Sequence, residues 1–215
     1  MAFADWFVSP ETKALIAKAD QGDLDAQFQV AVAYDLGKGA PKDIDTASRY
    51  YRMAADQGFA EAQNSLGSLL QSEKRYADAL IWFDKAAALN HPQATNNEAY
   101  LYDLGLGVKQ DRNKAFELYS RAADLGWAEA MWNIANIYGF GQLGKRDLVM
   151  ACVWAWRASR FASAAQQNLK AHLSDVLGKF EHNMPADQFA VCSKQGQEWT
   201  PALVPAQKSH EVDTP

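Results

Sequence analysis

The chain has 215 residues, of which 48% are hydrophobic and 22% charged, and a formal net charge of −5, enough apolar material for a sizeable core and enough charge for solubility. Its 21 Lys and Arg are scattered without a run, which excludes a phosphate-tracking stripe or a basic membrane-binding face and leaves nucleic acid an unexpected partner. Nowhere do 18 apolar residues run together, so no membrane insertion is expected.

The opening MAFADWFVSPETKAL lacks the basic n-region, apolar h-region and small-residue cleavage site of a secretory signal, and the expected compartment is the cytoplasm. Within AFADWFV, Trp6 and Phe7 either pack on the first helices or contact something else. Residues 9–23, SPETKALIAKADQGD, read as a helix with Ser9 as N-cap and Pro10 at the first helical position. Gly22 lies 36 positions before Gly58, so residues 1–22 form a half-repeat ahead of the repeats proper.

Four longer segments follow, at about 23–58, 59–90, 91–126 and 127–162. Their marker is a small-residue pair, Ala54-Ala55, Ala86-Ala87, Ala122-Ala123 and Ala158-Ser159, recurring at steps of 32, 36 and 36 residues. Each segment holds two amphipathic helical stretches, exemplified by EAQNSLGSLLQ (61–71) and NKAFELYSRAADLG (113–126). In the first stretch Ala62, Leu66, Gly67 and Leu70 form one stripe, matched by Ala26, Val30, Ala31 and Tyr34 and by Ala130, Ile134, Ala135 and Tyr138. Small residues beside large ones suit close helix crossing.

The decapeptide YDLGKGAPKD (34–43) returns as YDLGLGVKQD (102–111), 68 positions later. With no preceding strand, no third glycine and no Lys-Ser/Thr, its Gly-x-Gly is not a phosphate loop. Instead Tyr34 is expected to end a helix, Gly37 and Gly39 to supply positive φ angles, and Asp43 or Asp45 to cap the next helix. The second segment, QSEKRYADAL, drops four residues and both glycines while still joining two helices.

These residues carry a resemblance. The pattern best seen over 93–128, through Ala94, Ala99, Tyr102, Gly105, Gly107, Val108, Asp111, Lys114, Ala115, Tyr119, Ala122, Ala123 and Gly126, is similar to the Sel1-like repeat, a relative of the tetratricopeptide repeat. The resemblance covers roughly residues 14–160; the second segment lacks the Gly-x-Gly, and the fourth has QLG where the second glycine and valine belong. It implies an all-α, right-handed α-α superhelix. It also implies adaptor and scaffold roles, with toxin-neutralising immunity proteins as the alternative.

Beyond the repeats, residues 163–182 and 186–196 read as two helices capping the last segment, because a terminal repeat must cover an otherwise exposed apolar face. The stretch 197–215, rich in proline and polar residues, reads as extended or mobile. Only Cys152 and Cys192 are present, 40 residues apart, and neither a disulfide nor a zinc site is expected of them; they read as small packing residues.

Chemistry is thinly supplied. There is no HExxH, GxSxG or CxxC, and the four histidines, His91, His172, His182 and His210, fall in a turn, the terminal helices and the tail. Paired carboxylates such as Asp43 and Asp45, or Asp23 and Asp25, sit at helix starts, where capping and the dipole account for them. No catalytic residue, cofactor or metal is expected.

The surface left to read is the face of each first helix opposite its apolar stripe, which stacked helix pairs place on a concave wall. At 100° per residue this face carries Phe28, Gln29 and Val32; Asn64, Ser65 and Ser68; Asn96, Asn97 and Tyr100; and Trp132, Asn133 and Asn136. Asn offers donor and acceptor together and so suits the backbone of an extended peptide or protein segment. A neutral hydrogen bond nets about 0.5–1.5 kcal/mol and a desolvated aromatic anchor about 2 kcal/mol or more, so Tyr100 and Trp132 are expected to matter most. Glu98 stands where the other repeats have Val30, Leu66 and Ile134, and as a buried carboxylate it requires a partner, a proton or a route to solvent.

Overall fold

The computed structural model describes residues 7–202, and all regular structure among them is helical. Two compact units divide the chain, Met1–Gln110 and Asp111–Pro215. The first holds α1 (Pro10–Ala19), α2 (Leu24–Leu36), α3 (Ile44–Asp56), α4 (Ala60–Ser72), α5 (Tyr76–Ala88) and α6 (Pro92–Leu104). The second holds α7 (Arg112–Asp124), α8 (Ala128–Phe140), α9 (Leu148–Phe161), α10 (Gln167–Asn183) and α11 (Ala186–Glu198). Helices α2–α3, α4–α5 and α8–α9 follow one another as pairs inside their units, α6 closes the first unit and α7 opens the second, and α1 precedes them in the chain.

In the first unit each helix packs on the next in sequence, from α1 through α6. The core is built from the small-and-large stripes: Ala26, Val30 and Ala31 of α2 and Ala62, Leu66 and Leu70 of α4 are all buried. Gly67 shows why the stripe mixes sizes, since a Cβ there would meet the fully buried Phe83 ring at 2.6 Å. A methyl group at this one position would push α4 and α5 apart.

The repeated decapeptide is helix punctuation with a second duty. Gly37 and Gly105 close α2 and α6 in the left-handed conformation, at φ 68° and 69°, so α2 runs two residues past Tyr34. The second glycine of each copy packs against an earlier helix start. The amide of Ser9 donates to the Gly39 carbonyl at 2.8 Å, while a Cβ on Gly107 would collide with the Ala77 amide nitrogen at the head of α5. In the shortened repeat, Lys74 takes the left-handed turn at φ 62° without glycine's freedom. Asp43, not Asp45, caps α3, accepting from the amides of Asp45 and Thr46 at 3.1 Å each.

Ser9 and Pro10 open α1 as expected, with the Thr12 amide donating to Ser9 Oγ at 3.1 Å. Of the apolar start, Val8 is buried with Ala33 and Ala40, Phe7 is 72% exposed, and Trp6 lies outside the described residues. His210 and residues 203–215 of the expected tail also lie outside them.

In the second unit α9 packs on α8, α10 and α11. Cys152 and Cys192 form a disulfide between α9 and α11, with Cα atoms 5.8 Å apart and both side chains fully buried. This corrects the reading of two independent packing thiols: 40 residues of sequence are closed up by α11 folding back along α9. Beside it Gly196 lets the helices touch, since a Cβ there would collide with Trp156. The Arg160 guanidinium then donates to the carbonyls of Gly196 at 3.1 Å and Trp199 at 2.9 Å.

Candidate functional site

The residues expected on the peptide-facing surface fall in both units. In the first, Phe28 and Val32 are half-buried against the core, and the Phe28 ring packs on Tyr51 and Phe59 at centroid distances of 5.8 and 5.4 Å. Below that cluster Tyr51 donates to Asp35 Oδ2 at 3.2 Å, and burial followed by the Asp35 charge raises its pKa far above the usual phenol range. These side chains are committed to packing.

Further along the same unit, α4 and α6 bring polar residues together. Asn97 Nδ2 donates to Asn64 Oδ1 at 3.2 Å, and Asn64 Nδ2 donates to Gln93 Oε1 at 3.3 Å. One turn along α4, Ser68 Oγ donates to the Asn64 carbonyl at 3.0 Å. The chain of amides borders an open groove of about 370 Å³ lined by Ser68, Gln71, Ser72 and Gln93 with Asn97 and Tyr100, closed on its apolar side by Tyr76 and Leu106. No charged side chain lines it. Asn64 is buried and spent on this network, whereas Tyr100 is 39% exposed. Asn96 and Glu98 lie on the buried side of α6, and both are engaged by other groups. Glu98 is therefore buried and engaged, without the route to solvent that its position left open.

In the second unit Trp132 stands edge-on to the His172 ring of α10, with centroids 5.0 Å apart and planes at 81°. Trp132 and Asn136 line an apolar cavity under α10, and Asn133 is engaged by another group. Gln166, at the head of α10, adds a hydrogen bond to Glu129 of α8. The capping helix thus covers part of the face on which these three residues were expected to be open.

Three structural roles escaped the sequence reading. Gln27 and Gln63, one turn into α2 and α4, are buried and donate to the carbonyls of Ala19 and Ala55 at 3.1 and 3.0 Å, each a second bond to a last-turn carbonyl that already accepts from the Gly22 or Gly58 amide. The third is His91, whose Nδ1 accepts from the Ala94 amide at 3.2 Å as the N-cap of α6. Burial lowers its pKa, against a smaller opposite pull from Glu61. Among the described residues, no group of three His, Cys, Asp or Glu side chains could hold a metal ion, and no helix is long and apolar enough to cross a membrane.

With this geometry in place, the family model of the Sel1 repeat matches residues 24–59, 60–91, 92–127 and 128–160, the four helix pairs. The chain belongs to the Sel1 repeat family. This Sel1 repeat protein is 32% identical over 149 residues to an uncharacterized protein of Neisseria meningitidis serogroup B, a match covering 69% of this chain and 30% of that one. It therefore spans less than a third of that relative's length. Its fold is similar to a Sel1 repeat protein from Oxalobacter formigenes, with a TM-score of 0.68 at 26% identity over 90% of this chain and 76% of the other. A protective antigen of uropathogenic Escherichia coli that displays the SLR fold is similar at a TM-score of 0.65 and 27% identity, over 90% and 44% of the two chains.

Proposed function

We propose that this Sel1 repeat protein is a non-catalytic protein-interaction module that holds an extended, uncharged peptide segment of a partner protein in the groove between α4 and α6. One observation carries the reading. Asn64 Oδ1 and Gln93 Oε1 are used within the amide chain, while Gln93 Nε2 and Asn97 Oδ1 have no hydrogen-bond partner among the described residues. A free donor and a free acceptor side by side match the N–H and C=O of one peptide unit, and Tyr100 beside them offers an aromatic face for a side chain. The uncharged lining disfavours a strongly charged ligand, whose desolvation nothing in the groove would offset.

A random peptide library displayed on phage and panned against the protein tests this. Enriched sequences are expected to be uncharged and to bind by calorimetry with a Kd on the order of 10 µM. The Asn97→Ala, Tyr100→Ala double variant is expected to weaken binding by about tenfold or more. Equal binding by a double variant with unchanged melting temperature refutes the reading. A toxin-inhibiting role would use a folded partner and would leave the panned peptides unenriched.

The Cys152–Cys192 disulfide supports an oxidising compartment for this module, in place of the cytoplasm expected from the sequence, because cytosolic thiols are held reduced. Intact mass after alkylation is expected to show two added groups only when the protein from its native cells has first been reduced. Alkylation without reduction would return the module to a reducing compartment.

A further inference from the structure

Part of the apolar surface of the second unit surrounds a continuous depression. Two adjoining cavities of about 270 and 160 Å³ share Arg146, Leu148, Val176 and Phe180 and together form a groove running from α8 past α10 to the start of α11. Phe140 at its α8 end is 76% exposed, the most exposed large hydrophobic residue described, and Leu148 beside it is 39% exposed. Rings and aliphatic side chains left in water around a preformed depression mark a contact surface more often than an idle one.

The charged side chains that line the groove share one sign. Arg146 and Lys179 line it and no carboxylate does, in a chain whose net charge is −5. Lys179 is held by Asp175 at 2.6 Å, but Arg146 is exposed and has no hydrogen-bond or ion-pair partner among the described residues. At the far end α11 begins at Ala186 behind Pro185, which supplies no side-chain cap, and the one acidic residue of its first turn, Asp187, does not line the groove. The geometry points to a second docking surface, in which this groove takes an amphipathic acidic helix of a partner protein. Apolar side chains one turn apart would enter the two adjoining cavities, and a flanking carboxylate would pair with Arg146 in the two-pronged geometry guanidinium favours.

The test uses the full chain and labelled synthetic peptides of about 16 residues, read by fluorescence anisotropy. One peptide carries Leu and Phe along a helical stripe with Glu on its flanks; its control replaces every Glu by Lys. The acidic peptide is expected to bind with a Kd on the order of 10 µM and the basic one at least about tenfold more weakly. Arg146→Glu reverses that preference, and Phe140→Ser weakens the acidic peptide about tenfold. Both positions are exposed, so the helicity and melting temperature of the two variants stay at wild-type values. Asn97→Ala and Tyr100→Ala leave this binding unchanged, which separates it from the α4–α6 groove. Equal affinity for the two peptides, no saturation by about 1 mM, or an acidic-peptide affinity unmoved by Arg146→Glu overturns the inference. Sedimentation showing a wild-type dimer that Phe140→Ser makes monomeric also overturns it, by assigning the groove to a second copy of the chain.

Discussion

Single residues in this protein mark where a repeat bends its own rule. The N-cap position of α6 falls to His91, where α4 and α8 have Phe59 and Trp127 with no side-chain cap at all. The cap works only with Nδ1 unprotonated and accepting from the Ala94 amide. Burial holds the His91 pKa below its ordinary value, so the unfolded chain binds the proton more readily than the folded one. Stability from this residue is complete above the unfolded value of about 6.5 and is lost as pH falls from there through the folded pKa. Thermal melts are expected to show a drop between neutral and mildly acidic pH that His91→Asn, an uncharged cap, flattens, while His91→Ala costs about 1 kcal/mol near neutrality. An unchanged acid slope in His91→Asn would remove His91 as its source. Lys74 makes the complementary case. It sits in the left-handed region at φ 62°, a conformation that costs a side-chain-bearing residue about 1–2 kcal/mol. Lys74→Gly is therefore expected to raise the urea midpoint, although it removes a side chain and adds chain entropy to the unfolded state.

Whole helices were legible in the sequence wherever their signals are local. The stripe Ala62, Leu66, Gly67 and Leu70 carries helical spacing, an aspartate at 43 or 45 announces the start of α3, which Asp43 caps, and Gly37 announces the end of α2. What stayed hidden depends on contacts between segments distant in the chain. No spacing rule places α10 against Trp132, and none brings Cys192 to Cys152, because the capping helices lie outside the repeat and follow no register with it. The candidate groove divides differently: Asn97 and Tyr100 were read from helical phase, Gln93 stands one turn before Asn97 in α6 and shares that phase but was passed over, and only Leu106 lies past the Gly105 cap, where phase says nothing. Two glycines separate close packing from mere presence. Gly196 faces Trp156 at the α9–α11 crossing, and Gly178 in α10 has nothing within 4 Å of where a Cβ would stand. Gly196→Ala is expected to destabilise by about 1–3 kcal/mol through overpacking. Gly178→Ala is expected to stabilise by about 0.5–1 kcal/mol by raising helix propensity. Urea titrations in which the two substitutions shift the midpoint the same way would contradict this assignment of the crossing.

Across the molecule, repeats supply cohesion between sequence neighbours, and the end of the chain has to find its own. The first unit has a continuous core, reaching from Ala19 through Leu101 with alanine, leucine and ring side chains shared between successive helices. The last helix has less to offer. In α11 only Cys192 and Gly196 are buried, and its neighbour α10 touches it lightly compared with α9. Apolar burial on that scale does not repay the ordering of a thirteen-residue helix. What remains is the disulfide, the two Arg160 hydrogen bonds, the Trp199 ring packed on Trp154 and Phe161 at 5.8 Å each, and Arg157 over the Trp154 and Trp199 rings at 4.3 and 4.9 Å. Cross-linking across 40 residues constrains the unfolded chain and contributes about 2–4 kcal/mol, more than the remaining contacts of α11 can be asked to replace. Cys152→Ala, Cys192→Ala protein is therefore expected to lose hydrogen-exchange protection first in α11, then in the face of α9 it covers, while α4 and α5 keep theirs. Wild-type protein in excess reductant should follow the same order. Protection of α11 that survives both treatments would mean that the Arg160 and Trp199 contacts hold it alone, and uniform loss across all eleven helices would mean that the clamp stabilises the whole chain instead of its last element.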